Sequence, residues 1–145
     1  MAFRFELATL LRLSEIAEQR EERLLGDIQK QIMQSRGALE DLRVQRRRLA
    51  VERDCCIRQV TAAIEIQSFD LGLQRLGRLE ANSLADLVKL EGQRGEQMLR
   101  YKAAYGKREL LAGIRTDRRK SYCEEQTRRE QSMMDDNFSS RRRIE

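Results

Sequence analysis

From Leu25 onward, seam residues return at alternating spacings of three and four: Leu25, Ile28, Ile32, Ser35, Leu39, Leu42, Arg46, Leu49, Arg53, Cys56, Val60 and Ala63. Nine of these twelve are apolar, a period that suits one face of an α-helix and no strand. Nothing interrupts it, because the chain contains no proline, the residue that most strongly breaks a helix interior. Upstream, Leu10, Ala17 and Leu24 fall seven apart. That spacing predicts a one-position shift of the stripe near Leu24, tolerable because 3.6 does not divide seven. Arg46 and Arg53 thin the seam towards its end, where an arginine can lay its stem along a partner and keep its head in water.

A second, less regular set of seams follows the middle. Phe69, Leu73 and Leu76 share one face and continue in Ser83, Leu87 and Leu90. Met98, Tyr101 and Tyr105 repeat the spacing, Leu111, Ile114 and Tyr122 continue it after a phase change, and Met133 and Met134 come late. Two helical segments with complementary seams predict an antiparallel hairpin, with arms of about 50 to 70 residues or about 75 to 105 Å. A pair of helices has a single line of buried contacts, which predicts marginal stability and fraying ends. The residues leave two positions for the turn. One is 55–66, where β-branched residues cluster and the seam loses its leucines. The other is 70–82, marked by Gly72, Gly77 and a possible cap at Ser83.

The composition excludes several alternatives. Charged residues make up 37% of the chain, aromatics 5%, and tryptophan is absent, which does not suit a compact globular core. High charge with few aromatics also fits disorder, but the regular Leu, Ile, Val and Met spacing argues for helix. The net charge of +5 comes from 29 basic and 24 acidic residues, mixed as expected for helix faces laced with ion pairs. No apolar run reaches the ~18 residues of a membrane span, and the charged start "MAFRFELATLLRL" is no signal peptide. Cys55, Cys56 and Cys123 have no metal-binding spacing, there is no histidine to complete a zinc site, and free cysteines suit a reducing cytoplasm.

Catalytic equipment is missing. Without histidine the commonest general base and the Ser/His/Asp and Cys/His arrangements are excluded. "GLQRLG" lacks the lysine and the preceding strand of a phosphate-binding loop. The carboxylate pairs Glu21/Glu22 and Glu124/Glu125 fall on solvated helix faces. The expectation is a non-enzymatic binding or mechanical protein with no cofactor and no metal.

Four stretches carry a family resemblance. They are "FRFELATLLRL" with "RLLGD" near the amino terminus, "IQSFDLGLQRL" in the middle, and "REQSMMDDNFSSRRR" at the end. In this order they resemble the FliJ family, the stalk and chaperone-escort components of bacterial flagellar type III export, related to injectisome stalks. The resemblance implies a long antiparallel two-helix coiled-coil hairpin similar to the central stalk (gamma) subunit of rotary ATPases. It also implies a single coiled-coil domain: helix 1 at about 4–54, a connection at about 55–66, helix 2 at about 67–138 and a frayed basic tail at 139–145. The turn implied lacks clear glycines or asparagines.

The partners it implies are a hexameric export ATPase, the cytoplasmic domain of the export gate and flagellar export chaperones. The location implied is the cytoplasm, peripheral to the inner membrane through the export apparatus. Carried over by position, Leu42, Leu49, Phe69, Leu73 and Leu76 are the gate-facing candidates. Arg46, Arg47, Arg48 and Arg75 flank them and would steer the patch towards an acidic surface. Arg118, Arg119, Arg128, Arg129, Arg141, Arg142 and Arg143 are the candidates for the ATPase pore. The chain is expected to be a monomer in isolation, without membrane insertion or nucleic-acid binding. The alternatives are an injectisome stalk of the same architecture, a self-associating coiled coil, and a nucleic-acid-binding coiled coil. The last needs an unbroken basic stripe, which Glu40, Glu52, Asp54 and Glu80 interrupt.

Overall fold

The computed structural model describes residues 3–59 and 62–142. Two helices packed against each other make up the fold: α1 (Ala8–Arg58, 51 residues) and α2 (Ala63–Arg142, 80 residues). Arg58 in the last turn of α1 and Glu65 in the first turn of α2 complement the partial charges of the helix ends. The interruption lies between Arg58 and Ala63. Gln59 N–H still donates to the Cys55 carbonyl at 3.3 Å, and Glu65 N–H to the Ala62 carbonyl at 3.0 Å. No described residue has a positive φ, so the described flanks of the turn need no glycine.

Residues 70–82 lie inside α2. Single glycines cost a helix only about 1 kcal/mol each, and Gly72 has a packing use. A Cβ on it would sit 2.9 Å from Leu49 Cδ2, so its missing side chain seats a leucine of α1. α2 continues through 139–142, and the rest of the expected tail, 143–145, lies outside the described residues.

The chain forms two compact units. In the first, residues 21–58 of α1 run antiparallel to residues 63–100 of α2. Its core is Ile32, Leu39 and Leu87, with Ile28 and Leu90 packed against them. In the second, residues 3–20 face residues 101–142. Leu11 and Ser14 are buried there, the Ser14 hydroxyl donates to the Leu11 carbonyl at 2.7 Å, and the rings of Phe3 and Tyr122 lie 5.6 Å apart. No described side chain is completely enclosed, as a single line of contacts dictates.

The expected shift of stripe near Leu24 does not occur. Leu25 is buried while Leu24 is exposed, and Leu10 is exposed beside buried Leu11. The three-four spacing runs back without a break through Glu21, Glu18, Ser14 and Leu11. Two glutamates hid it, because each meets its partner only on α2. The expected phase change in α2 is likewise absent. Gln97, Tyr101, Ala104, Arg108 and Leu111 keep the seam's phase as buried or half-buried residues, whereas Tyr105 points outward. Its ring lies 5.0 Å under the Arg108 guanidinium, a cation–π contact.

Candidate interaction surfaces

The seam alternates apolar layers with polar ones, and the polar layers use up most of the charge near it. In the unit of residues 21–100, the Gln97 side-chain amide donates to the Glu21 carboxylate and, at 3.2 Å, to the Glu21 carbonyl. Arg43 and Arg46 converge on Glu80 at 3.2 and 3.0 Å. The Arg43 hydrogen bond, then that of Arg46, holds the Glu80 carboxyl below the usual carboxylate range. Arg53 Nε lies 2.7 Å from Asp70 Oδ1. In the other unit Arg108 pairs with Glu18, chiefly by a hydrogen bond that raises the arginine's pKa further. Arg118 reaches Glu6 at 3.4 Å.

Leu42, Leu49, Phe69, Leu73 and Leu76 come together in the unit of residues 21–100, all half-buried along the seam. Leu49 sits on Gly72. Leu73 also reaches an open groove of about 430 Å³ whose other walls are Arg43, Arg46, Arg47, Ala50 and Glu80. These leucines therefore hold the two helices together and keep part of their surface available. Of the flanking arginines, Arg46 is engaged by Glu80 and Arg47 by Glu40 at 2.8 Å. Arg48 and Arg75 make no ion pair with a described residue.

The carboxy-terminal candidates are spread along α2. Arg118 is tied to Glu6, and Arg129 to Glu125 of its own helix. Arg119 and Arg128 are exposed and unpaired among the described residues. Arg141 and Arg142 belong to the last turn of α2, and Arg143 lies outside the described residues. Beyond Tyr122 no cross-helix hydrogen bond, ion pair or ring contact occurs among the described residues. The seam positions become Glu125, Arg129, Ser132 and Asp136, so apolar character leaves the inner face where the partner helix ends. Met133, Met134 and Phe138 are exposed on this overhang. Met133 and Met134, expected late in the seam, lie off its phase of Ser132 and Asp136.

Among the described residues no group of three or more His, Cys, Asp or Glu is arranged to hold a metal ion, and no helix is long and apolar enough to cross a membrane. Fold and surface define a helical hairpin with exposed stripes and an α2 longer than its partner helix. The family model for the flagellar FliJ protein matches residues 3–145, and the chain belongs to that family. Membership gives it a role in flagellar protein export. Comparison with curated proteins and with solved structures yields no significant match.

Proposed function

We propose that the chain is a non-enzymatic stalk and adaptor of the flagellar type III export apparatus. It inserts into the hexameric export ATPase, promotes its assembly, and links it to the export gate and substrate chaperones. The observation that carries this reading is the family match across both helices and both ends. The unequal helices, 51 against 80 residues, support it by supplying a single helix thin enough to enter a pore. Its exposed Arg119 and Arg128, with Arg141 to Arg143 beyond, suit acidic loops of a hexamer. The half-buried Leu42, Leu49, Phe69, Leu73 and Leu76 suit the gate. The protein would act in the cytoplasm, at the inner face of the membrane, through the apparatus.

The test is a titration of the cognate export ATPase with this chain, reading hydrolysis rate and oligomer mass at physiological salt. Both should rise with the full chain. Neither should rise with a chain ending at Tyr122 or with an Arg119→Glu/Arg128→Glu variant. A flat response to the full chain would refute the ATPase role.

A further inference from the structure

The outer surface of α2 carries features that the helix pairing does not use, and of these only Arg75 also flanks the gate-facing candidates. Leu71 and Leu79 are exposed there at 66% and 42%. Together with Gln74, Arg75 and Arg78 they line a shallow groove of about 340 Å³. Two rows of side chains bound it, Leu71–Arg75–Leu79 and Gln74–Arg78, each at the i, i+4 spacing. Such a groove is what the i±4 ridge of another helix fills in the commonest class of helix packing. Arg75 and Arg78 form no hydrogen bond or ion pair with a described residue, unlike Arg43, Arg46, Arg47 and Arg53 on the neighbouring helix. The carboxylates that flank them along α2, Asp70 and Glu80, are already held by Arg53 and by Arg43 with Arg46.

From this arrangement we infer that residues 71–79 form a second docking face, distinct from the seam-side leucines, whose occupant is an acidic amphipathic helix of another protein. Leucine-sized ridges of that helix fill the groove between Leu71 and Leu79, and its carboxylates meet the unpaired guanidiniums of Arg75 and Arg78. Arginine forks recognise carboxylates bidentately, and helix-in-groove recognition uses such i, i+4 anchors. Charge count favours a protein over the other anionic surfaces. Lipid headgroup binding by basic clusters takes about four to eight cationic residues, and two arginines neutralise at most about two phosphates of a nucleic acid. This face stands on the geometry of residues 63–100 and does not depend on the ATPase reading.

The test uses the full chain and a fluorescently labelled amphipathic peptide with leucines at i, i+4 and i+7 flanked by glutamates. A second peptide has lysine for every glutamate. Anisotropy should show saturable binding of the Leu/Glu peptide alone, weakening as salt rises. Arg75→Glu/Arg78→Glu and Leu71→Ser/Leu79→Ser should each weaken it at least about tenfold, or 1.4 kcal/mol, while Lys102→Glu on the same helix leaves it unchanged. Leu71, Arg75 and Arg78 are exposed and Leu79 is 42% exposed, so far-UV circular dichroism should match the parent for the arginine variant and for Leu71→Ser alone, which should also weaken binding. Equal binding of both peptides, no saturation up to about 1 mM peptide, or parental affinity in the groove variants overturns the inference. So does self-association, or binding to anionic vesicles, that the same substitutions abolish, since it would assign the face to a second copy or to lipid.

Discussion

Leu24 and Leu25 are neighbours in sequence with opposite fates, and replacing each by alanine tests the seam's phase directly. Both changes remove the same three carbons from the same helix turn, so helix propensity cancels between them. At about 0.8 kcal/mol per buried methylene the full transfer term is about 2.4 kcal/mol. Leu99, 69% exposed, shows what a leucine on an uncovered helix face presents to water. Measured against it, Leu25 at 8% has lost about nine-tenths of that exposure to packing, and Leu24 at 42% about four-tenths. The transfer terms are then about 2 and about 1 kcal/mol. The cavity left at Leu25 adds to its cost, by an amount kept small because two helices can close up more easily than a globular core. Leu25→Ala should therefore cost at least about 1 kcal/mol more than Leu24→Ala in urea unfolding followed by far-UV circular dichroism. Equal losses, or a larger one for Leu24→Ala, would mean that the stripe through Leu10, Ala17 and Leu24 faces α2 and that the packing argument is wrong.

Other perturbations follow from the polar layers and the close approach. Because Glu80 has its pKa lowered by Arg43 and Arg46, its stabilisation is present above the ordinary glutamate value of about 4.3 and is lost as pH falls through the lower folded-state value. The stability gap between the parent and Glu80→Gln should be constant near neutrality and shrink below about pH 4. Gln97→Leu alone should destabilise by about 1–3 kcal/mol, since it strands the Glu21 carboxylate. Glu21→Leu with Gln97→Leu should recover that loss or exceed the parent in urea midpoint. Gly72→Ala gains about 1 kcal/mol of helix propensity but must displace the end of Leu49. Gly72→Val cannot be seated, so the alanine variant should stay near parental stability and the valine variant fall well below it by thermal melting. Phe3→Ala should raise amide exchange around Arg118 to Tyr122, because it removes the ring packed on Tyr122.

The hairpin and the central stretch of its seam were legible because Leu25, Ile28, Ile32, Leu39 and Leu42 are apolar wherever the helices touch. The seam's amino-terminal part was not. Glu18 and Glu21 look solvent-facing in a sequence, and only Arg108 and Gln97, more than 70 positions away, make them inward residues. Leu10, Ala17 and Leu24 then offered a false stripe at the right period. The glycines misled in a related way, since Gly72 marks a place where α1 comes close rather than a turn, and Gly77 lies within α2 with open space beside it. At the candidate docking faces, sequence assigned Phe69, Leu73 and Leu76 to one side and Leu71 to the other. Whether a given arginine is already neutralised by a neighbour could not be read locally. Arg46 and Arg75 look alike in the sequence, yet the first is spent on Glu80 and the second is unpaired among the described residues.

The helix beyond Tyr122 has a thermodynamic character of its own. A free peptide of ~20 residues would face the full cost of nucleation, with a penalty of about 10⁻³ in equilibrium constant. Here the paired part of α2 supplies the nucleus, so each further residue only has to propagate, at about 1.5 Å of length gained per residue. Propagation constants near one make that extension graded rather than all-or-none. The overhang therefore behaves as a helix of adjustable length. It shortens from its free end on warming, and any contact made near that end draws out the turns behind it.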